Sequence, residues 1–278
     1  WGGIFNDFGR GVFETADGGY AVVGSQYSAT TQADLLLVKF SSSLEFESSA
    51  TYSGQGLDSL YNNSANDVQQ TADGGYVLVG KTFNGSDYDV LIVKFSPQLA
   101  LTWQDTIDGG GSDDVGNSIR QRQDGGFVIC GNSYDGNDED IMLWGITVSG
   151  TTPTHSVLYN SEPTGLDNGT RDFGNHAEQT SDGGYIICGS TESFGNGSQD
   201  SYDGWLIKTD SQGNEEWNQT FGGSSGDYVH SVQQTSDGGY IITGLTMSYG
   251  NDDRDVWLIK TDSNGNEEWN QTFGGSDT

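Results

Sequence analysis

The stretch Ser231 to Thr246, SVQQTSDGGYIITGLT, decides the fold. It reads as two β-rich runs joined at Asp237-Gly238-Gly239, and aspartate followed by glycine between such runs signals a tight hairpin, because glycine takes positive φ without steric cost. Moving outward, the same signature stands at Asp17, Asp73, Asp124 and Asp182, at steps of 56, 51, 58 and 55 residues. The whole chain is therefore one repeated unit. An internal period near fifty with β-type residues predicts a β-propeller, in which each repeat is a small sheet that needs its neighbours to bury its faces.

Each unit divides at its turn signals into four strands, A to D. In the last copy, A and B flank Asp237, C runs from Val256 to Lys260, and a second turn at Asp262 to Asn266 leads into D. Strand C is apolar at consecutive positions (Leu35 to Val38, Val90 to Val93, Ile141 to Trp144, Trp205 to Ile207, Val256 to Ile259). Short unbroken apolar runs predict strands covered on both faces. The expectation is a single all-β domain over 1-278, with five four-stranded antiparallel blades near 1-53, 54-108, 109-163, 164-221 and 222-278. Blade one is expected to close the ring against blade five, unless the repeats belong to a longer chain with more blades. Copies four and five are nearly identical text, whereas copy three has Gly145 where Lys39, Lys94, Lys208 and Lys260 close strand C.

Forty acidic residues against ten basic ones give a net charge of −30 over 278 residues. Such a surface repels nucleic acid and anionic lipid, and no helical apolar stretch suggests membrane insertion. An extracellular or cell-surface setting, with salt, divalent cations or glycans to relieve self-repulsion, is the expectation. No signal peptide is visible, so Trp1 reads as a processed start. Cys130 and Cys188 occupy the same strand B position in neighbouring copies and are expected as two buried small side chains, not a bridge. Sequons at Asn62, Asn84, Asn168, Asn196, Asn218 and Asn270 are candidate glycosylation sites, and Asn218 and Asn270 fall on strand D, where a sugar would block edge pairing.

The turn aspartates Asp17, Asp73, Asp124, Asp182 and Asp237 are structural. Two further sets recur. One precedes strand C (Asp34, Asp89, Asp140, Asp203, Asp255), the other leads into strand A (Asp7, Asp114, Asp172, Asp227, with Asn63 in copy two). Both connections emerge at the same end of a blade. Each aspartate can cap its loop by accepting backbone N–H bonds. Calcium is the alternative, because the B-to-C loops offer Asp87 with Asp89, Asp138 with Asp140, Asp200 with Asp203, and Asp253 with Asp255 as hard oxygen ligands. The histidines, His155, His176 and His230, have no metal-ligand spacing around them.

The text Trp217 to Gly223 (WNQTFGG) and Ser236 to Gly244 (SDGGYIITG) resembles the SBBP-type and DGGY-type β-propeller repeats of secreted and surface proteins of bacteria and archaea, with archaeal versions nearest. That resemblance implies a propeller, export and a surface role, with no catalytic residues. Because the acids repeat with the fold and no blade owns a distinctive pair, the sequence predicts a non-enzymatic cell-surface structural or adhesive module, partnered by other surface proteins, copies of itself or glycans. Two other readings stand beside it. One is a glycan-binding, lectin-like propeller using Tyr134, Tyr202 and Tyr249, and the other is a polysaccharide hydrolase.

Overall fold

The structure, a computed structural model, describes residues 7–27, 33–54, 63–109, 112–134, 139–147, 149, 153–159, 170–195, 201–250 and 254–275. It is all-β, a β-propeller of five four-stranded antiparallel blades. Blade one is β1 (Phe8–Glu14), β2 (Tyr20–Gln26), β3 (Asp34–Phe40) and β4 (Phe46–Tyr52). Blade two is β5 (Asn63–Gln70), β6 (Tyr76–Phe83), β7 (Tyr88–Phe95) and β8 (Leu101–Ile107). Blade three is β9 (Asp114–Gln121), β10 (Phe127–Tyr134), β11 (Glu139–Ile146) and β12 (Pro153–Tyr159). Blade four is β13 (Asp172–Gln179), β14 (Tyr185–Thr191), β15 (Asp203–Thr209) and β16 (Glu215–Phe221). Blade five is β17 (Asp227–Gln234), β18 (Tyr240–Thr246), β19 (Asp255–Thr261) and β20 (Glu267–Phe273). The chain divides into two compact units, one containing blades one and two, the other blades four and five, with the third blade split between them.

The turn signature has a defined geometry. Gly18 donates its N–H to Thr15 O and Thr15 donates to Gly19 O, and the same pair of bonds closes the turns at Thr71, Arg122, Thr180 and Thr235. The first glycine of each motif has φ between 79° and 88°, the left-handed region that costs other residues energy. The second has no room for a side chain: a Cβ on Gly126 would lie 2.6 Å from Ile146 O, and the equivalent position in every other copy is tighter. The aspartate just before them accepts from the threonine hydroxyl and the second glycine's N–H, as at Asp73 with Thr71 and Gly75. Lys94, Lys208 and Lys260, from the end of strand C, reach the same carboxylates at 3.0–3.1 Å. The Thr71 bond first, then Gly75 and Lys94, hold Asp73 down at about 2 against the opposing effect of burial. Blade three replaces both partners with one side chain. Arg122 stands at the threonine position, pairs with Asp124 at 3.0 Å and donates to Ile146 O, so Gly145 no longer needs to be lysine.

Packing follows the strand pattern. Within the first unit, Val23, Leu35, Leu37 and Tyr52 of blade one meet Ala65, Val68, Leu78 and Leu91 of blade two in one core. Within the second, Ile186, Cys188, Leu206 and Phe221 meet Val229, Val232, Ile242 and Trp257. Strand C is buried on both faces in β7 and β15. In blade five it is not: Val256 of β19 is 58 % exposed, so this strand alternates where a doubly covered run was expected. Both cysteines are free and buried.

Strand A carries a β-bulge in blades one, two, four and five, at Arg10, Asn66, Asn175 and His230. Opposite it, strand B has glycine. A Cβ on Gly24, Gly80, Gly189 or Gly244 would strike the strand A carbonyl of Phe8, Ser64, Phe173 or Tyr228 well inside contact distance. The bulge and the glycine are thus one feature. Gly80→Ala is expected to lower unfolding free energy by at least about 1–3 kcal/mol, the usual cost of forcing atoms into filled space. Gly275→Ala, where a Cβ meets nothing within 4 Å, should leave the denaturant midpoint unchanged.

Candidate functional site

In an antiparallel blade, the start of strand C and the start of the next strand A lie at the same end, so Asp89 of β7 comes against Asp114 of β9. Asp108, just past β8, completes a group in which one carboxylate oxygen of each residue lies within 4.8 Å of the others. Asp114 is fully buried, Asp89 is 9 % exposed, and Asp108 is exposed. Asp89 and Asp114 belong to the repeat, but Asp108 does not. Its counterparts are Gly222 and Gly274, where a Cβ would collide with Asp203 and Asp255. Blade two therefore has a third acid where copies four and five have no side chain.

Asn84 donates to Asp89 Oδ1 at 3.1 Å, and Gly109 N–H donates to Asp114 Oδ2 at 2.6 Å. Asp114 Oδ1 is buried with no hydrogen-bond partner. Burial pushes the Asp89 carboxyl above the ordinary range, the Asn84 amide opposes this, and the charges of Asp108 and Asp87 add to it. Burial likewise raises Asp114, against bonds from Ser133 and Gly109 and with the charges of Asp108 and Asp89. A cavity of about 250 Å³ opens beside Asp89, walled by Phe83, Tyr52, Asn84 and Gln104. Gln104 Oε1 is buried without a partner. A larger cavity of about 750 Å³ lies between the first turns of blades one and two, and Glu14 is the only ionisable residue lining it among the described residues.

The carboxylates singled out from the sequence separate on the structure. Asp87 stays in the loop, its N–H donated to Asn84 Oδ1, and is not part of the cluster. Asp140, Asp203 and Asp255 are buried at the starts of their strands. Asp138, Asp200 and Asp253 lie outside the described residues, as do the sequons Asn62, Asn168 and Asn196. Asn84 organises its loop, and Asn218 and Asn270 accept from the indoles of Trp205 and Trp257 at 3.3 Å. Tyr202 packs between Phe173 and Tyr228, and Tyr249 lies on Trp257. Tyr134 donates its N–H to Asp113 O. Sequence reading passed over Asp108. The signal was an aspartate at a position where copies four and five have glycine.

No protein-family model and no curated protein sequence matches the chain. Among solved structures, it is similar to a mannose phosphorylase from Leishmania mexicana in complex with phosphate ion, at 14 % identity and a TM-score of 0.48 over 99 % of this chain and 91 % of that one. It is also similar to an endo-arabinase from Bacteroides thetaiotaomicron, at 14 % identity and a TM-score of 0.48 over 86 % and 88 % of the two chains. A third is the Synechocystis apocarotenoid oxygenase, at 10 % identity and a TM-score of 0.52 over 92 % and 58 %. At these identities the likeness is one of fold.

Because an oxygenase shares this fold, the fold itself gives no support to the expectation of a non-enzymatic structural or adhesive module. The premise of that expectation also fails on the chain itself, because Asp108 gives blade two the distinctive acid set that the repeat pattern had hidden.

A group whose carboxyl is raised by folding costs the fold stability at pH values above its folded pKa, and the cost disappears as pH falls toward its unfolded value near 4. Asp114→Asn removes that buried charge. It should raise the melting temperature at pH 7, with the advantage over wild type shrinking as the pH is lowered toward 4. A variant that melts earlier than wild type at pH 7 would contradict this account.

Proposed function

We propose that the protein is a polysaccharide hydrolase whose acid and nucleophile are Asp89 and Asp108. The observation that carries this reading is the grouping of a raised, nearly buried carboxyl with an exposed carboxylate at oxygen separations of 4.8 Å or less. That spacing is nearer the roughly 5–5.5 Å of double displacement than the roughly 6.5–9.5 Å that leaves room for an attacking water. Asp89 donates its proton to the glycosidic oxygen while Asp108 attacks the anomeric carbon and the sugar alcohol departs. Water then attacks the glycosyl-Asp108 ester, giving its proton to Asp89, and the anomeric configuration is retained. The charge of Asp108 supports its partner, since it helps keep Asp89 protonated. The neighbouring cavity supplies aromatic walls at Phe83 and Tyr52 and amides at Asn84 and Gln104, the mixture of apolar surface and a few polar groups that ligand sites use.

A second reading uses the same carboxylates. The partnerless, buried Asp114 Oδ1 favours a calcium ion held by Asp89, Asp108 and Asp114. Melting with and without calcium separates the two: a stabilisation that Asp108→Asn abolishes supports the ion, and no shift supports the acid pair.

Reducing-end release from polysaccharides tests the enzyme. Asp89→Asn and Asp108→Asn are each expected to lower kcat about 10²–10⁴-fold, while Asp255→Asn, at the same repeat position as Asp89, leaves it unchanged. Activity should fall as pH rises, because Asp89 must carry its proton. Turnover that survives Asp108→Asn, or is lost equally in Asp255→Asn, would overturn the assignment.

A further inference from the structure

The positive charges of this chain are scarce and mostly committed. Of ten basic residues, Lys39, Lys94, Arg120, Arg122, Lys208 and Lys260 are in ion pairs. The other four, Arg10, Lys81, Arg171 and Arg254, have no ion pair among the described residues, and two of them, Arg10 and Lys81, line one cavity of about 340 Å³ between blades one and two. No carboxylate is among the described residues lining it. Asn63 lines the same cavity, is fully buried, and its Nδ2 has no hydrogen-bond partner. Its Oδ1 is already used, accepting from Thr82 Oγ1 at 2.6 Å. Arg10, Lys81 and Asn63 therefore line one cavity with no acid among its described residues.

Two of the three arise where this blade pair departs from the repeat. Arg10 is the bulge residue of β1, and at that position Asn66 and Asn175 instead donate to Gly116 O and Val229 O. Asn63 stands where the other copies have aspartate. An aspartate there would have neutralised the cations. The cavity walls are aromatic: Phe8 and Tyr27 meet edge to face at 6.0 Å, and the Lys81 ammonium sits 4.2 Å from the Tyr88 ring centroid.

We infer that this cavity binds the carboxylate of an acidic sugar, a uronate residue of a polysaccharide. A guanidinium and an ammonium offer a carboxylate charge-assisted hydrogen bonds, and the rings offer apolar surface to a sugar face. Inorganic phosphate has no such face. Tyr88 lines this cavity, and the next residue of β7, Asp89, lines the cavity beside the proposed acid, so a bound uronate would occupy a subsite next to that acid. The sugar class rests on the carbohydrate reading above, whereas the anion site stands on its own residues.

Titration calorimetry of the full chain with trigalacturonate, its neutral methyl ester and inorganic phosphate tests this. Trigalacturonate should bind, the ester at least about tenfold more weakly, and Arg10→Gln, Lys81→Gln and Asn63→Asp should each weaken the acid about tenfold or more, equivalent to about 1.4 kcal/mol. Melting curves show whether each variant stays folded, and Lys81→Met, which keeps the apolar stem, replaces Lys81→Gln if that variant melts early. Absence of binding, equal binding of acid and ester, indifference to all three substitutions, or displacement by equimolar phosphate would overturn the proposal. Binding of trigalacturonate by the wild-type chain with no hydrolysis of any polysaccharide, or hydrolysis that survives Asp108→Asn, would sink the enzyme reading and leave this one standing.

Discussion

A carbonyl oxygen occupying the space of a missing side chain governs this molecule. In blades one, two, four and five, the strand A carbonyl before the bulge lies where a Cβ of the facing strand B glycine would be, so strand A can kink only because strand B is bare there. The kink then ejects one residue from the ladder. A residue outside the ladder answers to no pairing partner, and its identity is free to change from blade to blade without harm to the sheet. Asparagine at 66 and 175 ties the blade to its neighbour's backbone; arginine at 10 is turned to a cavity instead. The architecture is rigid where it repeats and permissive at the bulge.

The same division governs charge. A chain with a net charge of −30 has few cations to place. Five of them, Lys39, Lys94, Arg122, Lys208 and Lys260, serve the first turn of their blades by pairing with the turn aspartate. The partners of these pairs are more than half exposed, so each contributes modestly to stability; their collective effect is to neutralise the acids that the turns require. Blade three shows how strongly that requirement persists, since Arg122 restores the pairing from a different position after the lysine is lost. Against this pattern, two cations facing a cavity with no acid stand apart.

Much of this was legible in residue order. The hairpins at Asp17 and its copies follow from local backbone needs: positive φ at one glycine, no side chain at the next, and an aspartate that accepts from its own turn. The buried runs of strand C, and the shared end of the blade at which Asp89 and Asp114 meet, follow from antiparallel order. Functional groups were less legible. Averaging over copies rewards what recurs, and the groups that matter here are departures: Asp108 against glycine, Asn63 against aspartate, Arg10 against asparagine. Each looks like ordinary drift until its neighbours from other strands are in place.

The sequence by itself determined the unit, its four strands and the turns between them, because those depend on residues close along the chain and on a period that repeats five times. Only the tertiary structure decided which carboxylates form a group and which cations go unmatched. Asp89, Asp108 and Asp114 come from three strand ends, and Arg10, Asn63 and Lys81 from two blades. Electrostatic interactions depend on distance through space, and separation along the chain carries no information about that distance.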